Sequence, residues 1–306
     1  MATTSPEDVA GPSATCGAGF DSTLPVSIRG ASVARNTGGG TLARRWRWRH
    51  ARAACWALLQ THVGEGVRVA IVDVGNGDDL PLARFVRRAG SVDLIDLDAR
   101  ALKRARRRCA VARTPVRRVV EDVSSGAADL IVRRALGEGA NRVRPLATPV
   151  GRGSYDVVIA DLFATHLLYP ALADSGLAAA RIDATLLTEG QRLTEAVTAR
   201  LHAAAPEGAV IHLRDLLGWW HGHDQPLALD AALVLVEADP ATMLTLAAGA
   251  NAPSGCDPRA ASRALGAEVI DTRFWRWPFA PGTEYLVCAS VARTRRVTLN
   301  DAGSTR

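Results

Sequence analysis

The chain has no run approaching the ~20 apolar residues that a membrane-spanning helix requires. Its first residues do not show a basic stretch followed by an apolar one. A cytoplasmic protein without membrane contact is therefore expected. Five cysteines, Cys16, Cys55, Cys109, Cys256 and Cys288, are scattered, with no CxxC pair and no histidine at ligand spacing. That argues against a disulfide framework and against a zinc site, and no metal is expected. Lysine is almost missing: Lys103 stands alone among 37 basic residues. Positive charge is still in excess, at +6 with an isoelectric point near 9.5. This favours acidic partners but does not separate nucleic acid from an anionic small molecule. At 306 residues and 48% apolar composition, one α/β domain with additions is expected rather than two equal domains.

What is present is concentrated in residues 67–79, VRVAIVDVGNGDD. Branched apolar residues run into Asp73, and Gly75 and Gly77 follow with Asn76 between them. A run apolar on both faces suits the centre of a parallel sheet covered by helices on both sides. The glycines allow a sharp turn and a close approach of ligand to backbone. Leu82, Phe85, Val86 and Ala89 then recur at helical spacing, with Pro81 near the start, where no amide partner is lost. Strand, glycine turn and helix open a nucleotide-binding α/β fold. A dinucleotide sets its pyrophosphate at the N-terminus of such a helix. Here Asp78 and Asp79 occupy that place, and Leu80 replaces the third glycine of GxGxxG. Two carboxylates repel a pyrophosphate. They attract a cofactor that carries positive charge, such as S-adenosylmethionine, which has a sulfonium, an ammonium and no phosphate.

The succession Asp73, Val74, Gly75, Asn76, Gly77 resembles the first motif of the class I S-adenosylmethionine-dependent methyltransferases: apolar strand, acidic residue, apolar residue, GxG. Asp79 stands where that family often has a further glycine. A second strand, with Val92, Leu94, Ile95 and Leu97, carries Asp96 and Asp98 at its end, roughly 20 residues after the glycine turn. An acidic residue there can accept hydrogen bonds from both ribose hydroxyls of an adenosine. The resemblance gives that role to Asp96, while Asp98 reads as the N-cap of the next helix. Residues 116–123 form the third strand. The resemblance sets an acidic residue after it near the adenine amine, Asp122, with Glu121 as the rival. Tyr155 to Ala160 form a fourth strand ending in Asp161, followed by Leu162 and Phe163. In the family, methyl donor and acceptor meet there, and Asp161 is expected to hold the methionyl ammonium or orient a nucleophile. The cofactor-contacting set implied is Asp73, Gly75, Asn76, Gly77, Asp96, Leu97, Asp122, Asp161 and Leu162.

Three histidines compete for an acid/base role. His166 follows the fourth strand by about one helical turn, though a lone histidine in an apolar helix more often packs or caps. His221 and His223 lie beyond a fifth strand, Ala209 to Leu213, in a segment with Asp215, Trp219, Trp220 and Asp224. Aromatic walls and titratable groups are what an acceptor pocket needs. A covering helix is expected across residues 183–205. Two last strands, AEVIDTRFWRW and GTEYLVCASVA, pair as the terminal hairpin that methyltransferases show.

The expected architecture is α/β: a Rossmann-like, doubly wound, mostly parallel seven-stranded sheet with an antiparallel C-terminal hairpin and an N-terminal helical extension. Residues 1–40, rich in Ser, Thr, Gly, Ala and Pro, read as disordered. Residues 41–64 read as a basic amphipathic helix with Trp48, Cys55, Trp56 and Leu59 on one face; 65–292 form the α/β domain, and 293–306 a polar tail. The resemblance implies methyl transfer from S-adenosylmethionine to oxygen or nitrogen of a small-molecule acceptor, in specialised metabolism. The basic Arg44–Arg52 segment keeps an RNA methyltransferase open, although no separate nucleic-acid-binding module is recognisable. A methyltransferase-like fold retained for binding alone, and an aminopropyl-transferring relative, are the remaining alternatives.

Overall fold

The computed structural model describes residues 27–37, 41–110, 113–138, 148–223, 225–249 and 256–294. The described residues form one seven-stranded sheet in the order β3-β2-β1-β4-β5-β7-β6. Its strands are β1 (Arg68–Val72), β2 (Ser91–Asp96), β3 (Val116–Val120), β4 (Val157–Asp161), β5 (Ala209–Trp219), β6 (Ala267–Ala280) and β7 (Thr283–Thr294). The first five run parallel; β7 lies antiparallel between β5 and β6. The α/β architecture and the terminal hairpin expected from the sequence are both present.

Alternation along β1 explains the two-sided covering. Ala70 and Val72 face one layer and Val69 and Ile71 the other, all fully buried. The first layer holds α1 (Ile28–Thr37), α6 (Ala127–Ala135), α8 (Tyr169–Asp174) and α10 (Gln191–Ala204). The second holds α3 (Arg49–His62), α4 (Leu82–Arg88) and α5 (Ala99–Arg108), with Phe85 at its centre. The short α2 (Leu42–Arg47) precedes α3, and α7 (Phe163–His166) and α9 (Ala179–Thr185) complete the first layer's connections. Beyond the parallel strands, α11 (Leu229–Ala238) and α12 (Pro240–Gly249) cover the far part of β5 and β7, and α13 (Pro258–Ala264) leads into β6. Among the described residues, no helix is long and apolar enough to cross a membrane.

Four local differences from the sequence reading have physical reasons. Residues 28–37, read as part of a disordered segment, form α1. Its buried positions are Ile28, Ala31, Ser32 and Asn36, a helical spacing carried mostly by small or polar residues and so invisible to an apolar count. Residues 1–26 and 38–40 lie outside the described residues. The helix expected within residues 41–64 is interrupted at Trp48, whose indole N–H is drawn to the carbonyls of Pro278 (3.0 Å) and Phe279 (3.1 Å). The covering helix across 183–205 is interrupted by a π-helical turn, Leu186–Gly190. Strand β5 continues to Trp219, because β7 pairs with it over its whole length; Asp215 and Trp219 therefore sit on a strand rather than in a loop.

The register of the sheet fixes the working edge. Val72 is level with Ile95 on one side and with Ala160 on the other. The next residues, Asp73, Asp96 and Asp161, therefore form one row across three adjacent strand ends. The turn that follows β1 relies on Gly77, at φ 61°, where a Cβ would run into the Leu82 side chain at the start of α4. Gly77→Ala is expected to cost about 1–3 kcal/mol in urea unfolding, through left-handed strain and displacement of Leu82. An unchanged midpoint would show that the turn has room to relax.

Candidate functional site

The site begins where β1 leaves the sheet. Asp73 takes a left-handed conformation, φ 58°, which aspartate tolerates better than branched residues do. Gly75, at φ 50°, donates its N–H to Asp96 Oδ2 at 2.8 Å, tying the glycine turn to the end of β2. Asp96 Oδ1 accepts from the N–H of Asp98 at 2.7 Å. Asp98 in turn caps α5, accepting from the N–H groups of Arg100 and Ala101, as its sequence position predicts. From β4, Asp161 is followed by Leu162, also left-handed at φ 55°, and then by the single turn of α7. That turn presents His166, whose Nδ1 meets Asp73 Oδ2 at 2.5 Å. Left-handed Leu162 is costly backbone, held in place by the packing of a buried side chain, and such strain collects at functional sites.

Helix α1 roofs this edge. Arg35 donates to Asp73 Oδ1 at 3.3 Å, and Asn76 Nδ2 donates to the Asn36 carbonyl at 2.8 Å. Arg104 of α5 reaches Asn76 Oδ1 at 2.5 Å. Asn36 lies so close over the turn that a Cβ on Gly75 would come within 2.9 Å of its Oδ1. Three adjoining cavities that share lining residues result. An outer one lies between Ser32 and Arg35 of α1 and the ends of β2 and β3, with Asp96, Leu97, Asp122 and Val123. A middle one is bordered by Asp73, Gly75, Asn76, Asp79, Asp161, Leu162, Trp48 and Phe279. Arg35, Asp73 and His166 line both. An inner one, under α3, shares Asp79, Asp161, Leu162 and Trp277 with the middle one and adds Cys55, Leu213, Trp275 and Val287.

The charges are unevenly compensated. Burial pushes the Asp73 carboxyl up, but His166 and Arg35 beside it hold it below the usual carboxylate range. The same burial, helped by Arg35, lowers the His166 imidazole. Asp78 is ion-paired to Arg108. By contrast, burial, then the charges of Asp78 and Asp73, push Asp79 up to about 6. Burial and Asp73 push Asp96 up to about 7. Burial and Asp79 do the same for Asp215, to about 7, and burial with Asp79, Asp73 and Asp215 lifts Asp161 well above its ordinary value. A phosphate placed among these carboxylates would meet repulsion of about 4 kcal/mol per charge pair at 4 Å.

Of the residues expected from the sequence, Asp73, Gly75, Asn76, Asp96, Leu97, Asp122, Asp161, Leu162 and His166 line these cavities. Gly77 shapes the turn from beneath. Asp122 faces the outer cavity but spends its carboxylate on the turn before α6, accepting from Ser124 N (2.8 Å), Ser124 Oγ (2.7 Å) and Gly126 N (2.6 Å). Its rival Glu121 pairs with Arg200 at 2.8 Å and accepts from Gly151 N at 2.9 Å. His221 and His223 are placed elsewhere. His221 is exposed in the turn after β5, and His223 stacks flat on Trp220 at 3.8 Å and contacts Gln225. Neither lines a cavity that holds Asp73, Asp79 or Asp161. The extra length of β5 carries them away from the strand ends. Asp224 lies outside the described residues. Sequence reasoning missed Arg35, Asn36 and the wall of Trp275 and Trp277, because none belongs to a motif near the glycine turn.

No family model and no curated protein sequence matches the chain. Among solved structures it is similar to the N-methyltransferase NodS from Bradyrhizobium japonicum WM9 in complex with S-adenosyl-L-homocysteine. That likeness has 10% identity and covers 88% of this chain and 100% of that one, at a TM-score of 0.43. It is also similar to a TehB-like SAM-dependent methyltransferase from Corynebacterium glutamicum, with 16% identity over 86% of this chain and 100% of that one, TM-score 0.38. A third likeness is to a SAM-dependent methyltransferase from Leishmania major, with 12% identity over 89% and 79% of the two chains, TM-score 0.38.

The raised carboxyls set the sign of the pH dependence. Asp96 and Asp215 bind a proton up to about pH 7 when folded, against 3.8 when free. The folded chain therefore holds more protons between those values, and stability falls as pH rises through that window. Asp73 acts oppositely: its contribution is present above pH 3.8 and is lost as pH falls from there through its lowered value. Asp215→Asn is expected to stabilise the ligand-free protein by roughly 2 kcal/mol at pH 7.5, after the amide's own unmade hydrogen bonds are subtracted. Thermal unfolding should show that gain gone at pH 5; a gain independent of pH would mean that Asp215 is not titrating.

Proposed function

We propose that the protein is a class I S-adenosylmethionine-dependent methyltransferase acting on a small-molecule acceptor. The observation that carries this reading is the GxG turn bonded to Asp96 at 2.8 Å and opening into a cavity with an excess of buried carboxylate. That lining suits an adenosyl compound bearing a sulfonium and an ammonium, and suits a pyrophosphate badly.

The residues fit the donor. Each oxygen of Asp96 accepts one backbone N–H and keeps lone-pair capacity toward the outer cavity for ribose hydroxyls. Leu97, Val123 and Leu167 supply apolar surface for an adenine ring. Asp161, with no hydrogen-bond partner among the described residues, is the counter-ion for the methionyl ammonium. Gly75 lets the backbone approach the ligand. When bound, S-adenosylmethionine supplies a methyl group already activated by its sulfonium. The protein's task is then alignment and exclusion of water. Arg35, Asp73 and His166 form a cross-link from α1 to the sheet edge that holds the roof in place. His166 Nδ1 is committed to Asp73, so His166 acts as a positioning residue.

A second reading, an RNA methyltransferase, is favoured by one feature. Arg44 and Trp48 line the middle cavity, and nearby Trp46 is 67% exposed with Arg49 stacked on it at 3.8 Å. RNA binding that falls steeply with added salt would support it.

Isothermal titration calorimetry tests the main reading. S-adenosylhomocysteine is expected to bind and NADH to give no heat. Asp96→Ala, verified as folded, is expected to weaken S-adenosylhomocysteine binding by ~1–3 kcal/mol, or roughly 10–100-fold. Heat with NADH alone would reject the assignment, and heat with neither would leave a fold kept for other binding.

A further inference from the structure

We propose that the inner cavity takes the ammonium head of a cationic amine as the methyl acceptor, with Asp79 as its counter-ion and Trp275 and Trp277 as its aromatic wall. This deepens the methyltransferase reading and rests on it. Of the carboxylates at the working edge, Asp73 is paired with Arg35 and His166, and Asp78 with Arg108 through Oδ1, its Oδ2 being buried without a hydrogen-bond partner among the described residues. Among the described residues, neither Asp79 nor Asp161, both of which face the inner cavity, has an ion-pair partner, and no basic side chain lines it. Asp161 is only 3% exposed and makes no hydrogen bond among the described residues. Trp277 is 6% exposed, and its indole N–H is likewise unpartnered. A methionyl ammonium accounts for Asp161, on the boundary with the middle cavity. It leaves Asp79, toward α3, with the nearby charge of Arg52 but no ion pair among the described residues. Two negative groups among tryptophan faces form a site selective for cations: the carboxylate supplies charge and the ring faces supply cation–π attraction. A neutral hydroxyl gains neither, and an anionic acceptor is repelled.

The same surroundings handle the proton. Burial raises the affinity of Asp79 for a proton and lowers that of an ammonium beside it, so the pair passes easily to neutral acid and neutral amine. The ammonium gives one proton to the Asp79 carboxylate. The freed nitrogen lone pair forms the new N–C bond at the methyl carbon, and the C–S bonding pair leaves with sulfur, which becomes a neutral thioether. The positive charge ends on the methylated ammonium, and Asp79 returns its proton to water as product leaves.

The test uses three probes of one shape and different charge: 2-phenylethylammonium, 2-phenylethanol and 3-phenylpropanoate. They are titrated into the full chain saturated with S-adenosylhomocysteine at pH 7.5, and binding is followed by calorimetry and tryptophan fluorescence. The ammonium is expected to bind at least tenfold more tightly than the alcohol, and the carboxylate not at all. Asp79→Asn, its pocket checked by a retained S-adenosylhomocysteine heat, should lose that preference. A protein that binds S-adenosylhomocysteine yet shows equal, reversed or no binding across the series overturns the amine assignment and leaves the methyltransferase reading standing. One that takes up no S-adenosylhomocysteine overturns both.

Discussion

Three aspartates in one row across adjacent parallel strands set the problem that the rest of this structure answers. Neighbouring strands lie ~4.8 Å apart. Charges at about that spacing, in a partly desolvated edge, repel by roughly 3 kcal/mol per pair. The chain resolves the three differently. Asp73 is ion-paired to Arg35 and hydrogen-bonded by His166. Asp96 is held by two backbone N–H groups and still has its proton affinity raised. Asp161 has no hydrogen bond or ion pair among the described residues, and only the charge of Arg35 acts in its favour. A bound proton relieves such an edge, and so would the cationic donor proposed above.

The parallel sheet makes this arrangement unavoidable. Parallel strands all end at one edge, and residues that follow strands in register emerge side by side. With β1 flanked by β2 and β4, the register Val72–Ile95 and Val72–Ala160 brings the following aspartates together without any long-range design. What the sheet cannot supply is a roof. That comes from α1 and from the α2–α3 segment, whose Trp48 is pinned to the hairpin at Pro278 and Phe279. The N-terminal and C-terminal parts of the described chain thus meet over the cavity, one bringing arginines and the other tryptophans.

This division also explains what could be read from sequence. The strands, the GxG turn, the Asp98 cap and the terminal hairpin were legible because each rests on local pattern: apolar runs, glycine at positive φ, an acid before a helix. The row of aspartates was legible for the same reason, since each acid directly ends an apolar run. The roof was not. Helix α1 is buried through Ala31, Ser32 and Asn36, which carry no apolar periodicity, and its value lies in polar contacts formed only after folding. His221 and His223 misled because the fifth apolar run gives no sign that β7 extends the strand six residues past Leu213, carrying the histidines away from the edge.

Asp79 shows how a departure from a motif can be informative. A further glycine there would serve a close backbone approach or tight packing of strand against helix. In this chain α4 begins only at Leu82, so residues 78–81 form a connecting stretch rather than a helix start. Gly77 alone takes the packing contact with Leu82. Position 79 is thereby released from any steric demand for glycine, and a side chain there reaches the inner cavity. A carboxylate in that position forfeits phosphate binding, which the neighbouring Asp78 and Asp161 already discourage. In return it extends the negative lining from the donor's end of the cavity toward the tryptophan-walled end. One displaced helix start therefore links the departure from a dinucleotide motif to the charged acceptor proposed above.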